Sequence, residues 1–211
     1  MFEINKFKKR SSKKDLPVSV FFSNRAFITS LESTIKHLPK NSAIIIREYD
    51  LEEKDREIFA KKIAALARPL GLKILVGKDL SLAKKIKADG VHFSDFDKLP
   101  LQFISQKNFP EKFPRKFIFS FSCHNLKSAL KAEKSGFDMI FISPIFPTTS
   151  HLNTKNIGLK NLAKISLKTK STPYCESSFY ALGGINSQNL SSIRKLNLAG
   201  FGAISLFLNH S

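Results

Sequence analysis

The sequence predicts a (β/α)8 barrel, an α/β fold, here without an eighth helix. Short apolar runs alternate with longer stretches of helical period from Pro17 onward, the pattern of repeated βα units around a parallel sheet. Eight such runs fall within residues 18–207, with room for seven helices between them. So many crossovers in so short a chain fit a closed barrel better than an open sheet.

In chain order, the first strand is "VSVFFSN" (18–24) and the second "AIIIREY" (43–49), followed by "EEKDREIFAKKIAALARPLG", a helix with Ile58, Ile63, Leu66 and Leu70 near one face. "KILVG" (73–77), "GVHFSD" (90–95) and "KFIFSFSC" (116–123) supply strands three to five. "NLKSALKAEKSG" then carries an Asn at its cap position and Gly136 at its end, the start and stop signals of a helix. "DMIFISPIF" (138–146) and "FYALGGI" (179–185) are strands six and seven, and "SQNLSSIRKLN" opens the next helix with Ser187 as N-cap. "GFGAISLF" (200–207) is the eighth strand, and only "LNHS" follows it. The outer face of strands eight and one therefore needs another cover. The alternating Phe2, Ile4 and Phe7 of the N-terminal arm or a second copy of the chain in a homodimer could supply it.

The expected division is a basic arm over residues 1–16 and a barrel over 17–211. The arm carries Lys6, Lys8, Lys9, Arg10, Lys13 and Lys14 and reads as solvated or as a contact for a partner. At 211 residues the chain can bury a substantial core. Lys+Arg 35 against Asp+Glu 17 gives a formal net charge of +18, a field that concentrates anions. Two cysteines, Cys123 and Cys175, with no secretory signal ahead of them favour a reducing, cytoplasmic setting over a disulfide framework. No apolar run of about 18 residues or more is present, so no membrane span is expected; nucleic acid is not the expected partner despite the charge.

In such barrels the chemistry sits at the C-terminal ends of the strands, with phosphate bound by the loops after strands seven and eight. Those positions hold Gly183 and Gly184 of "ALGGIN", a phosphate cradle or simply a tight turn, and Ser205 of "GAISLF". Strand period puts Ser122 and His124 on the inward face of strand five and turns Cys123 outward under a helix, where it is inert. His124 is the candidate acid/base and Ser122 a hydrogen-bond donor. His92 faces inward but lies deeper, which favours a structural role. Asp95 and Asp97 can coordinate Mg2+ at a strand end or cap a helix.

The ordered set "IIIREY", "ADGVHFSDFD", "SFSCHNLKSALKAEKSGFDMIFISPIFPTTS", "ALGGIN" and "GFGAISLF" resembles the thiamine phosphate synthase/TenI family of TIM barrels over residues 18–207. The resemblance implies one of two activities. Synthases join hydroxymethylpyrimidine diphosphate to thiazole phosphate with Mg2+ and release pyrophosphate; TenI-type proteins tautomerise a thiazole carboxylate phosphate by proton transfer. The thiazole phosphate side of the family's site is kept: Thr148, Thr149 and Ser150 match its hydroxyl-rich loop, Gly184 its GGI turn, Ile204 with Ser205 its strand-eight phosphate site, and Ser122 its contact to the pyrimidine. The diphosphate side is rewritten. Arg47 and Glu48 remain, but Tyr49 stands in place of a lysine, Gly77 and Lys78 in place of Asn-Asp, and His151 in place of a second lysine for which Lys155 could substitute. Asp97 alone survives of two metal carboxylates. The resemblance thus implies a phosphorylated thiazole-like ligand and favours TenI-like proton transfer by His124, with no cofactor. The alternatives are a synthase, which would need Mg2+, and a catalytically silent binder of a phosphorylated ligand or partner enzyme.

Overall fold

Each apolar run is divided residue by residue between two cores. In β1 (Ser19–Phe22), Val20 and Phe22 point into the barrel while Phe21 joins the layer beneath the helices. Strands buried on both faces read as continuous apolar runs rather than as polar alternation. The computed structural model describes residues 15–26, 30–95, 97, 113–114, 116–148, 156–168 and 177–208. β2 (Ser42–Ile46), β3 (Lys73–Gly77), β4 (Gly90–Ser94), β5 (Ile118–Cys123), β6 (Met139–Ile142), β7 (Ser178–Leu182) and β8 (Gly200–Ala203) follow β1 in spatial order. All pairs are parallel, and β8 closes on β1 with Ser19 opposite Phe201 and Phe21 opposite Ala203.

Several strands end earlier than the runs that predict them: β2 stops at Ile46 rather than Tyr49 and β7 at Leu182 rather than Ile185, and β6 and β8 fall short as well. The sixth run was expected to continue to Phe146, but β6 stops at Ile142, two residues before Pro144, which has no amide to give a ladder. The eighth was expected to reach Phe207, but β8 stops at Ala203 and the chain tightens into a 3-10 turn, Ser205–Phe207.

The barrel interior is aromatic where the strands leave room. Phe22, Phe141 and the His92 ring meet edge to face, with centroids 5.1 to 5.8 Å apart, and Tyr180 lies 5.0 Å from Phe141. Gly202 makes that cluster possible: a Cβ there would strike the Phe22 ring and press on Leu182 and Phe141. Each such ring stabilises the fold by roughly 2 kcal/mol through burial, and each edge-to-face pair adds about 0.5–1.5 kcal/mol. Tyr180 donates its hydroxyl to the Pro17 carbonyl at 2.7 Å, tying the base of the barrel to the approach to β1. Burial holds that hydroxyl far above its usual pKa, so it is a neutral donor. Two aspartates repeat one device at the barrel base: Asp89 accepts the Ile74 amide at 2.8 Å and Asp138 the Phe119 amide at 2.7 Å.

Six α-helices lie among the described residues: α1 (Leu31–Lys36), α2 (Glu53–Ala67), α3 (Leu80–Lys85), α4 (Leu126–Lys134), α5 (Gly158–Lys168) and α6 (Leu190–Arg194). Most of the stretch between β4 and β5 lies outside the described residues. In α2 the buried face is Ala60, Ile63, Ala64 and Ala67, whereas Ile58 is 67% exposed and Leu70 44% exposed. Three alanines let this helix sit close to the sheet; of the four residues expected on one face, Ile63 is buried and Leu66 packs on the core, while Ile58 faces solvent and Leu70 lies in the 3-10 turn after the helix. The Asn125 cap of α4 forms as expected, its side chain accepting the Ser128 amide at 2.9 Å. At α6 the start is built by asparagines, not by Ser187. Asn186 accepts the amides of Gln188 and Asn189, and Asn189 accepts that of Asn186.

Phe207 covers part of the outer face of β8 and β1. From its 3-10 turn it stacks on Phe201 at 6.2 Å and meets Phe21 edge-on at 5.8 Å. The arm expected over residues 1–16 falls outside the described residues up to position 14, while Leu16 already packs on the interior cluster. No helix among the described residues is long and apolar enough to cross a membrane.

Candidate functional site

The C-terminal ends of the strands gather the polar residues that the apolar runs exclude. The register of β4 and β5 sets Ser94 opposite Ser122, which brings Asp95, one residue beyond Ser94, and His124, two beyond Ser122, to a common rim. There Asp95 Oδ2 accepts both the His124 amide, at 2.9 Å, and Nδ1–H, at 3.3 Å. Asp95 Oδ1 accepts the Ser128 hydroxyl from the first turn of α4. Burial raises the pKa of this carboxyl, but the hydrogen bonds from His124 and Ser128 outweigh that and hold it below the usual range. An anionic carboxylate can only accept, so it fixes the His124 tautomer with the proton on Nδ1 and the basic lone pair on Nε2. The sequence put His124 and Asp95 forward separately; the strand register is the signal that joins them.

Ser122 is brought to His92 rather than to His124. The Ser120 hydroxyl donates to the Val91 carbonyl, so it accepts from His92 Nδ1–H at 2.9 Å, which leaves Nε2 to accept the Ser122 hydroxyl at 3.1 Å. Burial first, and then the charges of Arg47 and Lys78, push His92 down to about 3. His92 is a neutral strut across the barrel, in keeping with its expected role. Cys123 faces the helices as expected, its thiol donating to the Phe141 carbonyl at 3.3 Å; burial and the nearby Asp95 push its pKa up, so it is a poor nucleophile.

Arg47 stands at the end of β2. Its Nε donates to the Ser23 carbonyl at 3.0 Å and its guanidinium lies 5.6 Å from the Phe22 ring centre. Its amide donates to Ser23 Oγ and to Glu48 Oε2, both at 3.1 Å, and Glu48 also accepts the Ser23 hydroxyl at 2.7 Å. These contacts end the strand and hold a cation in the mouth.

Across the mouth, the loops after β6 and β7 are joined by Ile145 N–H to Leu182 O at 2.9 Å and Phe146 N–H to Gly183 O at 3.1 Å. Gly183 and Gly184 have φ of 92° and 68°, and a Cβ on Gly184 would strike the Pro147 carbonyl and Phe146. Only glycine meets both the dihedral and the contact. The amides of Asn186, Gln188 and Asn189 are spent on the asparagine turn, so the start of α6 does not aim them at a ligand as the sequence suggested. Ile204 packs on the interior cluster and Ser205 is exposed at the head of its 3-10 turn. Thr148 lies in the described part of the loop after β6; Thr149, Ser150, His151 and Lys155 lie outside the described residues.

On the β3 side, Lys78 Nζ lies 2.6 Å from Asp97 Oδ1. Asp97 Oδ2 accepts from the Ser94 amide at 2.7 Å and from its hydroxyl at 2.8 Å. A cleft of about 380 Å³ opens beside Lys78, lined by Tyr49, Arg56 and Lys85 and by the carboxylates Glu53, Glu57 and Asp79.

A family profile described as thiamine monophosphate synthase matches residues 19–207. The chain is 36% identical over 185 residues to an Aquifex aeolicus protein named "Putative thiamine-phosphate synthase 2", covering 84% of this chain and 89% of that one. It is 30% identical over 156 residues to a thiamine-phosphate synthase of Lactococcus lactis, covering 74% of this chain and 66% of that one. Among solved structures it is similar to a thiamine phosphate pyrophosphorylase from Pyrococcus furiosus, with a TM-score of 0.71, 25% identity, and coverage of 90% of this chain and 86% of that one.

Proposed function

Because the chain belongs to the thiamine monophosphate synthase/TenI family of thiamine biosynthesis, we propose that it binds a phosphorylated thiazole-like molecule at the barrel mouth and moves a proton on it without a metal. The Asp95/His124 pair is the observation that carries this reading. A tautomerisation needs one base that takes a proton from one position and returns it at another, within a site that holds the substrate still. His124 Nε2 is that base in our reading, and Asp95, which does not meet the substrate, positions it. The phosphate end is assigned to the turn at Gly183 and Gly184 and to Ile204 and Ser205, where the backbone can approach an anion closely. Thr148, Thr149, Ser150 and His151 are assigned to the substrate's polar groups. The net charge of +18 favours arrival of an anionic ligand.

The names of the relatives favour a second reading, the synthase. Arg47, Ser122 and Asp97 are its retained residues, with Lys78 and Lys155 as diphosphate contacts and Asp97 as the surviving metal carboxylate. The two readings separate in one pair of assays. With a thiazole carboxylate phosphate in EDTA, conversion between tautomers is expected. With thiazole phosphate, pyrimidine diphosphate and Mg2+, no pyrophosphate release is expected. Pyrophosphate release without tautomer conversion would reverse the assignment, and neither activity beside saturable binding would leave a silent binder.

A further inference from the structure

The family resemblance implies a Mg2+ held by carboxylates after the third and fourth strands, and the donor set here does not fit one. The residue that follows β3 is a lysine, Lys78, and its ammonium already lies on Asp97. The Asp97 side chain is only 7% exposed, and its second oxygen is occupied by the Ser94 amide and hydroxyl. The neighbouring carboxylates are engaged as well. Asp79 caps α3 by accepting the Leu82 amide at 2.8 Å and pairs with Arg56 at 3.4 Å, and Asp95 serves His124 and Ser128. Among the described residues, no group of three or more His, Cys, Asp or Glu side chains is arranged to hold a metal.

We infer that the Lys78 ammonium is a built-in replacement for the divalent cation, neutralising Asp97 and offering its remaining N–H donors to a phosphorylated ligand. The replacement is a packed unit of several residues. Lys78 Nζ lies 4.5 Å from the centre of the Tyr49 ring, and the Arg56 guanidinium lies 5.3 Å from the same centre. That ring rests on Gly77, where a Cβ would strike the Tyr49 hydroxyl and meet the Ile46 carbonyl. Tyr49, Gly77 and Lys78, three of the departures from the family pattern, thus depend on one another: glycine makes room for the tyrosine, and the tyrosine supports the lysine. An ammonium has three donors, so one bond to Asp97 leaves others for phosphate oxygens. The side chain is 43% exposed, beside the cleft.

This inference rests on the family reading only for which cation is replaced, so its test reads metal binding and not activity. Mn2+ is titrated into the protein and followed by electron paramagnetic resonance. The wild type is expected to leave the free Mn2+ signal unchanged. Lys78→Asp should bind one Mn2+, about 100-fold or more tighter than wild type, because a cation is exchanged for an oxygen ligand. Position 78 has φ of 64°, a conformation that Asp adopts more readily than Lys, so the variant suits the backbone. Adding Asp97→Asn to Lys78→Asp should abolish the binding. Wild-type Mn2+ binding that Asp97→Asn removes would overturn the inference, as would Lys78→Asp protein that binds no Mn2+. If tautomer conversion fails while the Mn2+ results hold, only the proposed activity is lost.

Discussion

In His124→Ala, tautomer conversion is expected to fall by about 10²–10⁴-fold, the usual contribution of a positioned general acid/base. Ligand affinity measured by calorimetry should change little, because the proposed phosphate anchors follow β7 and β8 and are not at the β4/β5 rim. The size of the loss follows from the geometry: His124 is held at its backbone amide and at its ring Nδ1–H by a carboxylate that a helix hydroxyl also holds. Asp95 acts through His124, so Asp95→Asn should lower kcat with KM nearly unchanged and shift the pH profile, whereas a purely structural role would leave the profile alone. Full activity in His124→Ala would move the base elsewhere.

Acid should destabilise the protein through His92 well before its carboxylates titrate. Folded His92 is held neutral, its pKa down at about 3, while the unfolded chain takes up the proton near 6.5. Between those values the unfolded state binds a proton that the folded state refuses, so stability is full above about pH 6.5 and falls as pH drops. The slope is about 1.4 kcal/mol per pH unit, or ~2.7 kcal/mol by pH 4.5. Asp95 adds a term of the same sign, but only as pH falls below the ordinary carboxylate range towards its own lowered value. Urea unfolding of wild type and His92→Gln between pH 7 and 4.5 isolates the histidine: the variant should start about 1–3 kcal/mol lower through its altered hydrogen bonds and lack the slope. Equal slopes in the two proteins would place the acid sensitivity elsewhere.

Most of the barrel is legible in the chain because a strand buried on both faces must be apolar along its length, and eight such runs leave little freedom in the order of the sheet. What escaped the sequence depends on contacts between runs. Pairing His124 with Asp95 requires the β4/β5 register, and the face of α2 is set by Ala60, Ala64 and Ala67, whose small size hides them beside Ile58 and Leu70. The end of β8 depends on Phe207 turning back to Phe201 and Phe21. Three of the substitutions on the rewritten diphosphate side, Tyr49, Gly77 and Lys78, were visible separately. That they form one packed unit over Asp97 is visible only in three dimensions.

Calorimetric titration of thiazole phosphate into the protein in EDTA tests most directly whether the mouth is a metal-free thiazole phosphate site. Saturable binding is the predicted result, weakened at least about tenfold by Gly184→Ala, since a side chain there is strained by its positive φ and meets the Pro147 carbonyl. The pyrimidine diphosphate, titrated separately, should bind much more weakly. No heat of binding in EDTA, with binding restored by Mg2+, would contradict the account.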